Sequence, residues 1–425
     1  MLNAKESKVC VVGAGMSGLT AMKALIDQGI DFEAFERRSD VGGLWRYSSN
    51  PDEFSVYDCC YTISCKHWTG YVDFPMPDAY PEYLHHTKML EYFRNYAQAH
   101  RLLRHITFGV SVENIARHGD DWHVRLSNGE IRHYSHVIVA TGQFGYPVTP
   151  HYPGTFHGKS CHSGAYKRAE DFTGLRTLVV GLGNSGCDIA ADISRVASRT
   201  YLSTRESAHV IPKYVFGLPF LHFGYALRLP IVLLQVMLQI VAWLGRGSLS
   251  GYRFPAPTRR PLLKNPTISS QLLDRVGHGA IIMKPAVERF TTGGAVLADG
   301  TELELDAVVF CTGFEIRFPF FDESMISYRR EKFRNYGLMV NLDHPNLFFI
   351  GLFNPLGTYA PIAERQARWA ARLISGALRL PSRAKMERWY ERHQRKMSRR
   401  FNDYENPLIN VDFFAFAREL DGWLK

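Results

Sequence analysis

The sequence predicts an α/β fold in which one strand, loop and helix domain is inserted into another of the same design. Three observations lead there. A glycine loop stands between an apolar strand and a helical segment at residues 8–29; the same order returns at residues 177–197; and the apolar runs 137–140 and 308–311 both close in Thr-Gly. A strand, glycine loop and helix in that order is the grammar of a Rossmann-like dinucleotide-binding domain.

In the first unit, residues 8–12 form a short apolar strand, Gly13-Ala-Gly15-Met-Ser-Gly18 a turn, and residues 19–28 have helical spacing up to Gly29. A second strand over residues 31–35 ends at Glu36. Gly13 permits the tight turn, Gly15 lets the backbone approach a pyrophosphate, and Gly18 lets helix and strand pack closely. Glu36 is placed to accept hydrogen bonds from ribose hydroxyls. A lone Gly-x-Gly-x-x-Gly is weak evidence, but here strand, loop, helix and terminal acid are in register, which favours a dinucleotide over a purely structural turn.

The second unit repeats the pattern with a strand at 177–180, the loop Gly181-Leu-Gly183-Asn184-Ser185-Gly186, a helix over 187–197 and a strand over 200–203. Its ending differs: Ser203 and Thr204 lead to Arg205 where the first unit has a carboxylate. A carboxylate repels a ribose 2′-phosphate, whereas a guanidinium and hydroxyls bind it, so this site is expected to prefer NADPH to NADH. The alternative is that Arg205 is an ordinary surface charge. Two sites of opposite ribose preference imply one cofactor that stays and one that visits, and FAD followed by NADPH fits. The Thr-Gly endings, Thr141-Gly142 among them, suit a backbone that passes near a ligand or crosses between domains. The expected organisation is therefore an FAD domain over 1–165, an NADPH domain over 166–304 with an apolar helical insertion at about 214–280, and a return to the FAD domain with C-terminal helices over 305–425.

Composition is consistent with this and excludes several classes. The chain has 425 residues, which suits two to three domains at roughly 150 residues each. Hydrophobic residues make up 46% and charged residues 21%, enough apolar surface for real cores. Fifty Lys and Arg against 41 Asp and Glu give +9, an excess concentrated only at 383–400, where Glu387, Glu391, Trp389 and Tyr390 interrupt it. That reads as a solvated amphipathic helix face, so no nucleic-acid partner is expected. The seven cysteines are odd in number and contain no Cys-x-x-Cys, which argues for buried thiols in a reducing, cytoplasmic setting. The charged N-terminus turns at glycine before any long apolar stretch and is no secretory signal. Residues 229–244 are uncharged over 16 positions, short of the roughly 20 needed to cross a bilayer. A domain-covering helix is favoured there, with a helix lying in a membrane interface and a span left open. A homo-oligomer also stays open.

At this point the chain resembles the flavin-containing monooxygenase family along essentially its whole length. The resemblance is carried by both glycine loops, by Gly42-Gly43-Leu44-Trp45, by Phe156-His-Gly158-Lys-Ser-Cys-His162-Ser-Gly-Ala-Tyr166, by Asp73-Phe74-Pro75 with Tyr80-Pro81, and by Gly357-Thr-Tyr-Ala-Pro361. The membrane-anchoring tail of the animal members is absent from it, so a short form is expected. The resemblance implies that NADPH reduces FAD, that oxygen adds to give a C4a-hydroperoxyflavin with NADP⁺ still bound, and that an amine nitrogen or sulfide sulfur takes the distal oxygen. The flavin does the chemistry, so no protein nucleophile and no metal is expected. Gly13, Gly15, Gly18, Glu36, Gly43, Leu44 and Trp45 are expected to hold FAD, and Gly181, Gly183, Asn184, Ser185, Gly186, Ser203, Thr204 and Arg205 to hold NADPH.

One departure stands out. Ungapped alignment of Ser55-Val56-Tyr57 and Asp73-Phe74-Pro75 puts the family's active-site asparagine at Ile63, between Thr62 and Ser64. Isoleucine cannot hydrogen-bond, and a preorganised polar contact beside the flavin is worth a few kcal/mol. Three outcomes follow: Thr62, Ser64 or Lys66 supplies the contact; the apolar surface serves a different substrate; or the enzyme is mainly an NADPH oxidase that releases hydrogen peroxide. Thr62, Ile63 and Ser64 are therefore expected beside the isoalloxazine ring. Rival classes are a disulfide reductase, for which only the vicinal Cys59-Cys60 is available, and a non-catalytic NADPH-sensing or membrane-bound scaffold, favoured only by residues 229–244.

Overall fold

The computed structural model describes residues 8–206, 208–223, 231–252, 254, 266–326, 333–400 and 409–425. Two sheets organise it, the first parallel except at its Asn335–Tyr336 and Val340–Asn341 edge and the second parallel throughout. In the first, strand order runs Asn335–Tyr336, Val340–Asn341, Leu347–Phe349, His136–Val139, Val9–Val12, Phe32–Glu36, Ile106–Phe108. Val9–Val12 lies at the switch point, parallel to Phe32–Glu36 on one side and to His136–Val139 on the other. It is buried at every position, and that is why it reads as an uninterrupted apolar run rather than an alternating one. The helix Met16–Asp27 covers one face and packs in turn against the helix Ala360–Ile374, where both contribute to the largest core.

The second sheet repeats the arrangement with strand order Ile281–Lys284, Arg199–Ser203, Arg176–Val180, Ala307–Phe310, Lys159–His162. Arg176–Val180 is the central strand here, parallel to Arg199–Ser203 and Ala307–Phe310. The strand before the second Thr-Gly is thus the counterpart of His136–Val139, not the return of the first sheet. Its register, Thr177 opposite Ala307 and Val180 opposite Phe310, ties it to the second domain, and Lys159–His162 pairs beside it. The second sheet therefore extends past both expected boundaries, 166 and 304. The first sheet resumes only at Asn335–Tyr336.

Two chain crossings join the sheets, and they pair with each other. Tyr146–Pro147, leaving the first sheet, is antiparallel to Phe314–Glu315, returning to it. The Val148 N–H donates to the Gly313 carbonyl at 3.0 Å, and the Thr312 hydroxyl donates to the Val148 carbonyl. Each Thr-Gly ending sits beside this crossing.

A three-stranded antiparallel layer, Val112–His118, Asp121–Leu126 and Ile131–Tyr134, buries Trp122 completely against a second core that includes Phe321 and Phe349. Helix Arg383–Arg400 buries Met386, Trp389, Tyr390 and Met397. Its charges meet acids, as where Arg383 bonds Asp343 at 2.7 Å and Glu387 at 3.0 Å, which is the solvated amphipathic face the charge pattern suggests. All seven cysteines are free. Residues 229 and 230 of the apolar run lie outside the described residues, and the helix that follows is Ile231–Arg246. Its Val241 is buried in a small core with Ile211, Val215 and Phe220, while Leu233, Val236, Ile240, Trp243 and Leu244 are exposed. Among the described residues no helix is long and apolar enough to cross a membrane.

Trp122→Ala should lower stability by about 3–5 kcal/mol, the range for emptying a fully buried aromatic site. Val72→Ala, at a position 60% exposed, should change it by less than about 0.5 kcal/mol. Urea unfolding followed by circular dichroism measures both, and equal effects would contradict the burial assigned to Trp122.

Candidate functional site

The two glycine loops are built to one plan. Gly13 has φ +101° and Gly181 φ +116°, conformations open to glycine and strained for other residues. A methyl group added at Gly18 would lie 1.9 Å from the Gly13 carbonyl oxygen, and one added at Gly186 would lie 1.9 Å from that of Gly181. In each loop the first glycine's N–H donates to the end of the neighbouring strand, Gly13 to Phe35 at 2.8 Å and Gly181 to Ser203 at 2.9 Å. The helices Met16–Asp27 and Asn184–Ile193 begin at Gly15 and Gly183 without a side-chain cap. Uncapped helix N-termini at the carboxyl ends of parallel strands suit a pyrophosphate, whose oxygens can accept the first-turn N–H groups. Gly183 has no neighbour within 4 Å of where a side chain would start, so its loop has the room a dinucleotide needs.

Around the first loop, Gly42 N–H donates to the Ala14 carbonyl at 3.0 Å. Gly15 and Gly43 meet backbone to backbone, a methyl added at Gly43 falling 3.2 Å from the Gly15 Cα. The 3₁₀ turn Gly43–Trp45 follows; Leu44 accepts from the Val56 N–H at 2.9 Å, and Trp45 packs against the cores of both domains. Glu36 is buried, and its two carboxylate oxygens accept the N–H groups of Ala14 at 2.8 Å and Arg38 at 2.9 Å. It braces the loop, with lone pairs left over for a ribose. Thr141 and Gly142 are exposed at the end of the adjacent strand. Beyond them, Gln143 Oε1 and Thr358 Oγ1 are buried without a partner, and Gln143 Nε2 donates to the Tyr359 hydroxyl at 3.1 Å. Buried orphan polar atoms beside a dinucleotide loop suit a ligand edge rich in donors and acceptors, such as a flavin's. The residues present therefore fit FAD.

At the second loop Arg205 is exposed at the strand end, as expected. Ser203 and Thr204 are not presented with it: the Ser203 hydroxyl donates to the Pro285 carbonyl at 2.7 Å and the Thr204 hydroxyl to the Glu206 carbonyl. Because strand residues alternate in direction and these hydroxyls find backbone acceptors, 2′-phosphate selectivity would rest on Arg205 alone. Asn184 is also occupied, its Oδ1 accepting the Ile268 N–H at 2.9 Å. Ser185 is part-buried beside it and Gly186 is buried.

Ile63 is 37% exposed. The hydroxyls on either side are engaged elsewhere: Thr62 Oγ1 accepts the Leu84 N–H at 2.9 Å, and Ser64 Oγ bonds Thr69 Oγ1 at 2.7 Å. Lys66 Nζ donates to the Asp78 and Tyr80 carbonyls. None of the three expected substitutes for an asparagine is presented with Ile63. His162 is buried: its Nδ1 accepts the Gly164 N–H at 3.2 Å, its ring meets Phe314 edge-on at 4.8 Å, and burial holds its pKa below the usual histidine value. Burial pushes the Cys60 thiol up to about 12 and the Cys59 thiol further still, so this pair is inert and the disulfide reductase loses its only motif.

Sequence reasoning missed three cations. Arg38 donates to the Gly43 carbonyl at 3.1 Å, to the Arg46 carbonyl at 3.2 Å and to the Phe54 carbonyl. Lys167, buried, donates to the Glu53 carbonyl at 2.6 Å and Ser55 Oγ at 2.8 Å. Burial, reinforced by the charge of Arg38, pushes it down to about 8. Lys213 Nζ donates to the Thr62 carbonyl at 3.2 Å. No sequence pattern announces a lysine or arginine that bonds backbone carbonyls far along the chain.

Two uncapped glycine loops, each at the carboxyl end of the central parallel strand of its sheet, define a protein with two dinucleotide sites. The comparisons make this specific. The model of the family described as flavin-binding monooxygenase-like matches residues 6–424. Dimethylaniline monooxygenase (N-oxide-forming) 2 of Rattus norvegicus is 34% identical over 440 residues, covering 97% of this chain and 82% of that protein. Flavin-containing monooxygenase 5 of Homo sapiens is 33% identical over 439 residues, covering 98% and 82%. Among solved structures, S-allyl-L-cysteine S-oxygenase from Allium sativum superposes with a TM-score of 0.75 at 20% identity, over 98% of this chain and 88% of that one. The chain belongs to the flavin-binding monooxygenase-like family. It is an FAD- and NADPH-dependent flavin monooxygenase.

Three variants separate the loops. Gly18→Ala should yield protein without bound FAD, whereas Gly186→Ala should stay yellow and bind NADPH at least roughly tenfold more weakly, a loss of about 1.4 kcal/mol. Arg205→Ala should weaken NADPH by roughly 10- to 150-fold, the value of a hydrogen bond to a charged group, and leave NADH almost unchanged. Flavin absorbance and nucleotide titration read these effects; equal losses for NADPH and NADH would remove Arg205 from 2′-phosphate recognition.

Proposed function

We propose that this monooxygenase delivers one oxygen atom of O2 to a soft, uncharged nucleophile, an amine nitrogen or a sulfide sulfur, with an apolar surface at the reacting centre. FAD is held by the first loop with Gly43, Leu44, Trp45, Glu36, Thr141 and Gly142, and NADPH by the second loop with Arg205. The observation that carries the reading is Ile63: it is exposed while the hydroxyls of Thr62 and Ser64 are bonded elsewhere. What the segment offers a substrate is a branched hydrocarbon. Tyr61 is exposed next to it. Such a surface desolvates an apolar amine or sulfide and gives an anion nothing to bind.

The electron balance is simple. NADPH supplies two electrons, one oxygen atom enters the substrate, and the other leaves as water. When bound, the flavin supplies the oxygen activation, and the protein's part is to seat the two nucleotides and to keep water away from the site. One similar protein is named as N-oxide-forming and another, of the same fold, as an S-oxygenase, and these names support a nitrogen or sulfur acceptor.

A second reading is an NADPH oxidase that releases hydrogen peroxide. It is favoured by one observation: the hydroxyls of Thr62 and Ser64 and the ammonium of Lys66 are all engaged elsewhere, so no side chain from this segment replaces the missing amide. Counting NADPH, peroxide and oxygenated product side by side against apolar sulfides and tertiary amines decides between the two. With a good substrate, product should account for most of the NADPH consumed. Ile63→Asn should lower the peroxide share severalfold, since about 1.4 kcal/mol of restored polar stabilisation is tenfold in rate. Peroxide equal to NADPH with every substrate would overturn the monooxygenase reading in favour of the oxidase.

A further inference from the structure

The segment carrying Ile63 belongs to the FAD domain, yet a cation from the nucleotide domain holds it. Lys213 Nζ donates to the Thr62 carbonyl at 3.2 Å, one peptide from Ile63. The ammonium lies 4.9 Å from the centre of the Tyr83 ring and 5.6 Å from that of Tyr61, a range in which aromatic faces attract a cation. Burial presses both Lys213 and Asp188, on the helix that starts at Gly183, toward their neutral forms, and the attraction between them offsets this only in part; Asp188 also accepts the Tyr57 hydroxyl at 3.0 Å.

The backbone of Lys213 leads directly to the second glycine loop. Val210–Ile211, just before it, pairs in parallel with Thr267–Ile268. Thr267 Oγ1 donates to the Leu182 carbonyl at 3.0 Å, and the Ile268 N–H donates to Asn184 Oδ1 at 2.9 Å. Leu182 and Asn184 are positions within the loop Gly181-Leu-Gly183-Asn184-Ser185-Gly186. A path of hydrogen bonds and covalent backbone thus runs from that loop through two short strands and Pro212 to Lys213, and through its side chain to Thr62. On its other side, the backbone of Thr62 is held only within its own domain, its N–H donating to the Leu84 carbonyl at 2.8 Å.

We propose that Lys213 is a positioning residue that couples occupancy of the second dinucleotide loop to the placement of the segment carrying Ile63. The proposal rests on the reading of that loop as the NADPH site. A nucleotide seated on the loop steadies Leu182 and Asn184, these steady Thr267–Ile268 and Val210–Ile211, and Lys213 passes the constraint to the Thr62 carbonyl. The same cofactor that donates electrons then orders the surface on which oxygen transfer takes place. Linkage makes the effect reciprocal: whatever free energy the nucleotide contributes to ordering that segment, the ordered segment returns as nucleotide affinity.

The test uses the FAD-loaded, oxidised enzyme and NADP⁺, so no turnover is involved. Hydrogen–deuterium exchange should show NADP⁺ protecting amides of residues 60–66 in the parent protein. Lys213→Met, which keeps the length of the side chain and removes its donor, should lose that protection and bind NADP⁺ roughly fivefold or more weakly, the lower end of typical coupling. Lys213→Arg should restore both. Thr267→Val removes one of the two bonds that tie this strand to the loop without touching Lys213, and should reduce the protection measurably; it decides the question if Lys213→Met does not fold. Unchanged protection and unchanged NADP⁺ affinity in the folded variants would overturn the coupling while leaving the NADPH site standing. A parent protein that keeps its flavin but binds no NADP⁺ would instead overturn the site assignment, and the coupling with it.

Discussion

The structure depends on an approach that only glycine allows. At Gly18 and Gly186 a single methyl group would lie 1.9 Å from a backbone carbonyl oxygen of its own loop. That contact sets how near each helix can come to the loop that precedes it, and therefore where the helix N-terminus points. A side chain there would push the helix away and turn its first-turn N–H groups off the end of the sheet, where they serve as an anion site. The same constraint operates twice, in two sheets whose central strands each lie between two parallel neighbours. The duplicated geometry explains how one chain presents two nucleotide cradles, and the residues that end each second strand explain why the cradles differ. Glu36 braces its own loop through two backbone N–H groups, while Arg205 is left facing solvent.

Joining the two cradles is a separate problem, solved with backbone and buried charge. The two crossings pair with each other, so neither can move independently. Lys167, Arg38 and Lys213 reach the main-chain carbonyls of Glu53, Phe54 and Thr62. Each ammonium or guanidinium taken from water is costly unless it is fully bonded, and here carbonyl oxygens meet that demand. Burial depresses the pKa of all three, as expected for cations whose partners are mostly neutral dipoles. Aromatic faces supply the rest for Lys213.

Legibility from the sequence follows range. The glycine loops, their strands and the ends at Glu36 and Arg205 were readable because their determinants are local: spacing, positive φ and a strand's terminal residue. The inserted domain was readable as a pattern, but its edges were not. Val308-Val-Phe-Cys-Thr-Gly resembles Val137-Ile-Val-Ala-Thr-Gly equally well whether it returns to the first sheet or completes the second, and only the register opposite Thr177 separates the two. Ser203 and Thr204 looked like phosphate ligands because hydroxyls near a guanidinium often are; the Pro285 carbonyl that takes the Ser203 proton lies 82 residues away in the chain. Lys213 left no trace at all, since its partner is a main-chain oxygen 151 residues distant.

An amide beside a flavin does two things at once: it offers hydrogen bonds, and it keeps a polar, ordered edge at the reacting centre. Isoleucine removes the first and reverses the second, because a branched apolar side chain favours excluding water over organising it. Exclusion alone can protect a reactive centre, provided the surface that excludes stays in place. That requirement moves the burden from one side chain to the backbone that carries it. The backbone here is pinned from one side by Leu84 and from the other by an ammonium of the opposite domain. If Ile63 stands beside the flavin as proposed, the order that a polar side chain would supply has to come from the peptide beneath it, and Lys213 is bonded to that peptide.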